Sequence, residues 1–301
     1  MTIKKYIKDF LEYLEVEKNR SPKTVENYTH YLKRFVDFLA EDIRPRDLTL
    51  QKVHNYRLYL NRFLDDKGRT LGVKTQNYHV IALRAFLKYL SKNDIATLAP
   101  EKIELSKIPE RTVEVLSREE IDRLFEAVDL AKAQGHRDAA ILETLYSTGL
   151  RVSELHNLNR EQVDLKRREF MVRGKGSKPR VVFLSERAAK KIEKYLRQRD
   201  DNFKPLFINA LKSKDILADD EKRLSRVSIE NIVRRYALRA GIIKKVTPHT
   251  LRHSYATELL INGADIRSVQ SLLGHSSITT TQIYTHLTDK RLRETHEKFH
   301  K

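Results

Sequence analysis

The stretch EFMVRGKGSKPRVVFL, from Glu169 to Leu184, decides the fold class. Two runs rich in β-branched and aromatic residues flank a Gly-Lys-Gly-Ser turn, the pattern of a β-hairpin. Everything around it has the spacing of helices. Downstream, helices are expected from Ser185 to Gln198, Ser228 to Ala240, Pro248 to Ile261 and Ile266 to Leu273. Upstream, Ser117 and Glu120 stand three apart ahead of Ile121, Leu124, Phe125 and Val128, a capping box opening a helix. The first ninety residues hold four more amphipathic segments. Ile3, Ile7, Phe10, Leu11 and Leu14 make one face. Ser21-Pro22 opens a second helix that turns Tyr28, Tyr31, Leu32, Phe35, Phe38 and Leu39 inward. A third runs from Thr49 to Leu64, and the fourth, from about Val73 to Ser91, carries Tyr78, Ile81, Ala82, Ala85, Phe86 and Tyr89. Between Asn93 and Thr112 two prolines and no sustained period mark a linker. The reading is therefore a mainly α protein with one small β-hairpin: a helical domain over 1–93, a linker over 94–112 and a mixed domain over 113–301.

Charge constrains the partner. Of the 301 residues, 59 are Lys or Arg and 41 Asp or Glu, a net charge of +18. Both expected domains share it, with +6 over residues 1–110 and +12 over the remainder. A polyanion is the natural partner, and no apolar run approaches the roughly 20 residues of a spanning helix. Nucleic acid thus fits better than a membrane surface. The absence of cysteine excludes disulfides, Cys-ligated zinc and thiol catalysis, and the N-terminus MTIKKYIKDF has no signal-peptide core. A cytoplasmic protein is expected.

Four motifs carry candidate chemistry. In TGLRVSEL, Thr148 to Leu155, Gly149 allows a turn and Arg151 stands just before a short helix; alone it could be a solvated surface arginine. Lys175, at the hairpin tip, is either a solubilising turn lysine or one that a mobile turn delivers to a ligand. HTLRH, His249 to His253, puts two histidines four apart, but Thr250 stands where a zinc-binding helix needs Glu, and Arg252 on that face would repel a dication. A buried, hydrogen-bonded histidine is the alternative there. The fourth, LLGHSSITTTQIYTH from Leu272 to His286, is too rich in Ser and Thr for a core helix and reads as short helical pieces around a polar site. Two arginines, a lysine and two histidines without a metal site suit a phosphodiester, because guanidinium groups fork onto its non-bridging oxygens. A tyrosine can be the nucleophile when a base takes its proton and cations stabilise the phenolate. Tyr284 is the candidate among 13 tyrosines; Tyr146 and Tyr255 sit at apolar helical positions.

Together, TGLRVSEL, the GKGSKPR hairpin, TPHTLRHSYATELL and LLGHSSITTTQIYTH, in that order, resemble the tyrosine recombinases of the phage integrase superfamily, and within it the Xer-like group. The N-terminal SPKTVENYTHYLKRFVDFL resembles the family's helical, SAM-like core-binding domain, so the resemblance spans nearly the whole chain. It implies a two-domain recombinase fold and a site of Arg151 and Arg252 as phosphate clamps, Lys175 as general acid for the leaving 5′ oxygen, and His249 as base or hydrogen-bond partner of the tyrosine. His275 would contact a non-bridging oxygen, Tyr284 would be the nucleophile, and Glu154 would orient the site. Implied too are a 3′-phosphotyrosyl intermediate, a Holliday junction, no cofactor or metal, and a homo- or hetero-tetramer on specific double-stranded DNA sites. A second recombinase and a DNA translocase are possible partners. The C-terminal tail either docks on a neighbouring protomer, through Leu292 and Phe299, or is an exposed basic tail contacting DNA or nothing. Residues 209–225, longer and more charged than expected, leave the subgroup open between dimer resolution and element integration. A type IB topoisomerase-like enzyme and a non-catalytic DNA-binding protein are the alternatives from other classes.

Overall fold

In the computed structural model, which describes residues 1–108, 114–173, 179–209 and 220–274, the chain divides into two units, Met1–Arg111 and Thr112–Lys301. The first is a bundle of α1 (Ile3–Glu15), α2 (Pro22–Leu39), α3 (Leu50–Arg62) and α4 (Val73–Lys92). Their starts follow local chemistry. The Ser21 hydroxyl accepts from the Thr24 amide ahead of Pro22, and Thr49 caps α3 through the Lys52 amide. Phe10, Leu32, Phe35, Tyr56, Leu83, Phe86 and Leu87 fill the core, where the Phe35 and Tyr56 rings meet edge to face at 4.9 Å.

One expectation for this unit changes in part. In α4 the buried stripe is Val80, Leu83, Leu87 and Leu90, with Ala82 and Phe86, while Tyr78 and Ile81 are exposed. Ala85 and Tyr89 pack against the same core, so four of the six residues expected on this face lie on it. Within 94–108, Ile103 is buried in the bundle core, and Asn77 exchanges side-chain hydrogen bonds with the Ser106 backbone at 2.7 and 3.1 Å.

The second unit begins with α5 (Arg118–Glu126), whose Ser117–Glu120 capping box is formed in both directions. At its centre lies α6 (Gly135–Thr148), buried on nearly every side against α5 and, further along the chain, α8 (Glu186–Arg197), α9 (Arg226–Arg239) and α10 (Pro248–Ile261). Sequence periodicity does not single out α6, because a helix surrounded by protein has no polar face. Its buried Asp138 instead accepts from Arg137, Arg235 and the Tyr236 hydroxyl. A short helix α7 (Val152–His156) and the antiparallel strands β1 (Glu169–Arg173) and β2 (Pro179–Phe183) follow α6. Their register pairs Phe170 with Val182 and Val172 with Arg180. The last described helix, α11 (Ile266–Leu273), stops at Gly274, which adopts φ +64°.

Candidate active site

The site is assembled at the carboxyl end of α11, where three successive carbonyl oxygens each accept from an arginine of a different element. Arg180 Nε, from β2, donates to Leu272 O at 3.1 Å; Arg252 donates to Leu273 O at 2.7 Å from α10; and Arg151, the residue preceding α7, donates to Gly274 O at 3.2 Å. Unsatisfied carbonyls and the negative end of the helix dipole favour such cations. Arg252 also donates to Gly149 O at 2.5 Å, tying the α6–α7 turn to the same point. That turn needs glycine: Gly149 has φ +60°, and a Cβ there would lie 2.6 Å from Tyr255 Cδ1 and 3.0 Å from Leu273 Cδ2.

Glu154 is the anionic centre of this cluster. Its Oε1 accepts from Arg180 Nη1 at 2.7 Å and Arg151 Nη1 at 2.9 Å, and its Oε2 from Arg180 Nη2 at 2.9 Å and the Arg151 amide at 2.8 Å. These four bonds use the acceptor capacity of a carboxylate. Burial pushes the Glu154 carboxyl up, but the hydrogen bonds from Arg180 and the Arg151 amide, with both charges, outweigh it and hold the group below the usual carboxylate range. Glu154 is thus ionised, and it fixes the orientation of Arg151.

His249 stands in the first turn of α10, after Thr247 and Pro248. Crowding of its exposed ring by protein, and then the charges of Arg252 and Arg151, hold its pKa below the ordinary value. A neutral imidazole beside two guanidinium groups is fit to accept a proton. His253, one turn on, is lowered to about 4 by burial, then by His249 and Arg252. Burial pushes up the phenols of Tyr146 and Tyr255, and Tyr146 donates to Glu258 at 2.6 Å. Neither is poised to ionise. Among the described residues, no group of three or more His, Cys, Asp or Glu is placed to hold a metal ion.

Four of the seven residues expected from sequence, Arg151, Glu154, His249 and Arg252, therefore converge. Lys175, His275 and Tyr284 lie outside the described residues, as do Leu292 and Phe299. Arg180 was not anticipated. Strand alternation could have found it, since it shares the inward face of β2 with Val182, where a buried arginine requires a buried carboxylate.

The profile of the phage integrase family matches residues 114–291, and that of the phage integrase N-terminal SAM-like domain matches residues 7–94. The chain belongs to the phage integrase family of tyrosine recombinases. It is 36% identical to tyrosine recombinase XerD of Oceanobacillus iheyensis, over 98% of this chain and 97% of that protein. Tyrosine recombinase XerC of the same organism is 35% identical, over 98% and 95%. Among solved structures, the Tn1549 transposon integrase in complex with transposon right end DNA has the same fold, with a TM-score of 0.76 and 20% identity over 99% of both chains.

Proposed function

We propose that this protein is a site-specific DNA recombinase of the Xer kind, with Tyr284 as nucleophile. The observation that carries the reading is the convergence of Arg151 and Arg252, with neutral His249 and ionised Glu154, on the end of α11 immediately before His275. In the proposed reaction the Tyr284 oxygen attacks the scissile phosphorus as its proton passes to His249. The bond from phosphorus to the 5′ oxygen breaks, and Lys175 protonates that oxygen. Arg151, Arg252 and His275 stabilise the charge on the non-bridging oxygens of the pentacoordinate transition state. A 5′ hydroxyl of the partner duplex then reverses the step, releasing Tyr284. One phosphodiester is exchanged for another, so neither nucleotide hydrolysis nor a metal is needed for balance.

Two such exchanges through a Holliday junction require four protomers on two DNA sites, either all of this chain or alternating with a second recombinase. In this reading 1–93 and 113–301 grip the duplex across the 94–112 linker, and the reaction takes place in the cytoplasm; among the described residues no helix is long and apolar enough to cross a membrane. In keeping with the resemblance to both XerD and XerC, the proposed role is resolution of chromosome or plasmid dimers rather than element integration. The test is a plasmid carrying two copies of the DNA site that the protein selects from a duplex library. Resolution into two circles supports a recombinase; relaxation without resolution points to a topoisomerase-like enzyme; binding with neither rejects catalysis.

A further inference from the structure

Arg180, like Arg151, touches both the carboxylate of α7 and the carbonyl end of α11. It reaches them from β2, five residues after Lys175. Its two terminal nitrogens fork onto both oxygens of Glu154, and its Nε remains for Leu272 O, three residues before His275. The guanidinium occupies the space a side chain at position 274 would take: a Cβ on Gly274 would lie 2.9 Å from Arg180 Cδ and 3.0 Å from Nη1. Only the planar fork of arginine serves three acceptors in this geometry; an ammonium at the same place is a point charge. Resting on the recombinase reading, we propose that Arg180 is a positioning residue of the active site. It holds Glu154, and through it Arg151, in register with the helix end that leads to His275. Arg180 itself need not touch DNA, because its donors are directed at protein.

Withdrawing it leaves Glu154 buried with half its acceptors unfilled and draws Arg151 toward the carboxylate, away from the phosphate position. A displacement of that kind affects the chemical step more than binding. The experiment is single-turnover formation of the covalent protein–DNA adduct on a nicked duplex, at a series of DNA concentrations, for the wild type, Arg180→Met, Arg180→Lys, Glu154→Gln and the double variant Arg180→Met/Glu154→Gln. At saturating DNA, Arg180→Met is expected to react about 100-fold more slowly, with its half-saturating DNA concentration unchanged. Arg180→Lys should not restore the rate. If Arg180 acts through Glu154, the double variant reacts at the rate of Arg180→Met, well below wild type but with no further loss, a non-additivity that a general loss of stability does not produce. Since the double variant removes a charge together with its counterion, it keeps the test open even where Arg180→Met fails to fold. Wild-type rates in Arg180→Met or in the double variant, or losses that multiply in the double variant, overturn the proposal. A wild type that forms no adduct overturns the recombinase reading, and this inference with it.

Discussion

At the residue scale, the site depends on groups that have almost no freedom. Gly274 must hold φ +64° and leave room for Arg180. Gly274→Ala incurs the left-handed backbone cost of about 1–2 kcal/mol and displaces the guanidinium, so adduct formation should fall while duplex binding, read by gel shift, persists. Arg252 spans Gly149 O and Leu273 O with its side chain buried. Arg252→Lys keeps the charge but not the fork, and the single-turnover cleavage rate is expected to drop by about 100- to 1000-fold, the loss typical of removing a transition-state donor. A rate close to wild type would mean that only the charge at 252 is used. Arg151, Arg252 and His249 were legible in the sequence because they stand in motifs of fixed order. Arg180, within one of those motifs, was not, because its role lies in a carboxylate 26 residues away, and no local spacing reports that pairing.

At the scale of elements, legibility follows polarity. Helices with one wet face, such as α1, α2 and α5, announce themselves through period and caps, and the Ser117 capping box forms as expected. Ser117→Ala should cost about 1 kcal/mol, seen as faster amide exchange in the first turn of α5. By contrast α6 is hidden, since a helix wrapped by protein carries no amphipathic signal, and in α4 Ala82, Ala85, Phe86 and Tyr89 face the core while Tyr78 and Ile81 are exposed. The α2–α4 packing also sets a pH dependence. His79 is buried, with its Nε2 facing Arg34 and its Nδ1 facing the Tyr56 hydroxyl. Burial, then the Arg34 charge, lowers its pKa from 6.5 to about 4. The unfolded chain therefore takes the proton first. This contribution to stability is whole above pH 6.5 and is lost progressively as the pH falls to about 4, by roughly 3 kcal/mol in all. Protection factors of α2 and α4 amides should decline from pH 7 to pH 5, and protection independent of pH over that interval would contradict the assignment.

At the scale of the whole molecule, charge and organisation point the same way. The net charge of +18 is spread over both units, so both are expected to contact phosphate. If six to ten phosphates are neutralised, affinity for duplex DNA should fall by about three to five orders of magnitude between 50 and 200 mM salt, measured by fluorescence anisotropy. A shallow salt dependence would remove the electrostatic part of the account. Order in the catalytic unit supports the chemical part, since α6, α7, β2, α10 and α11 meet where the arginine cluster forms. The central claim is that this cluster serves a tyrosine nucleophile at position 284. It is tested most directly by incubating the full chain with a library of nicked duplexes and isolating SDS-resistant protein–DNA adducts, with Tyr284→Phe in parallel. The account predicts adducts for the wild type, linked through Tyr284 to a 3′ phosphate, and none for the variant. Adducts that persist in Tyr284→Phe, or a wild type that binds duplex DNA tightly and forms none, would contradict it.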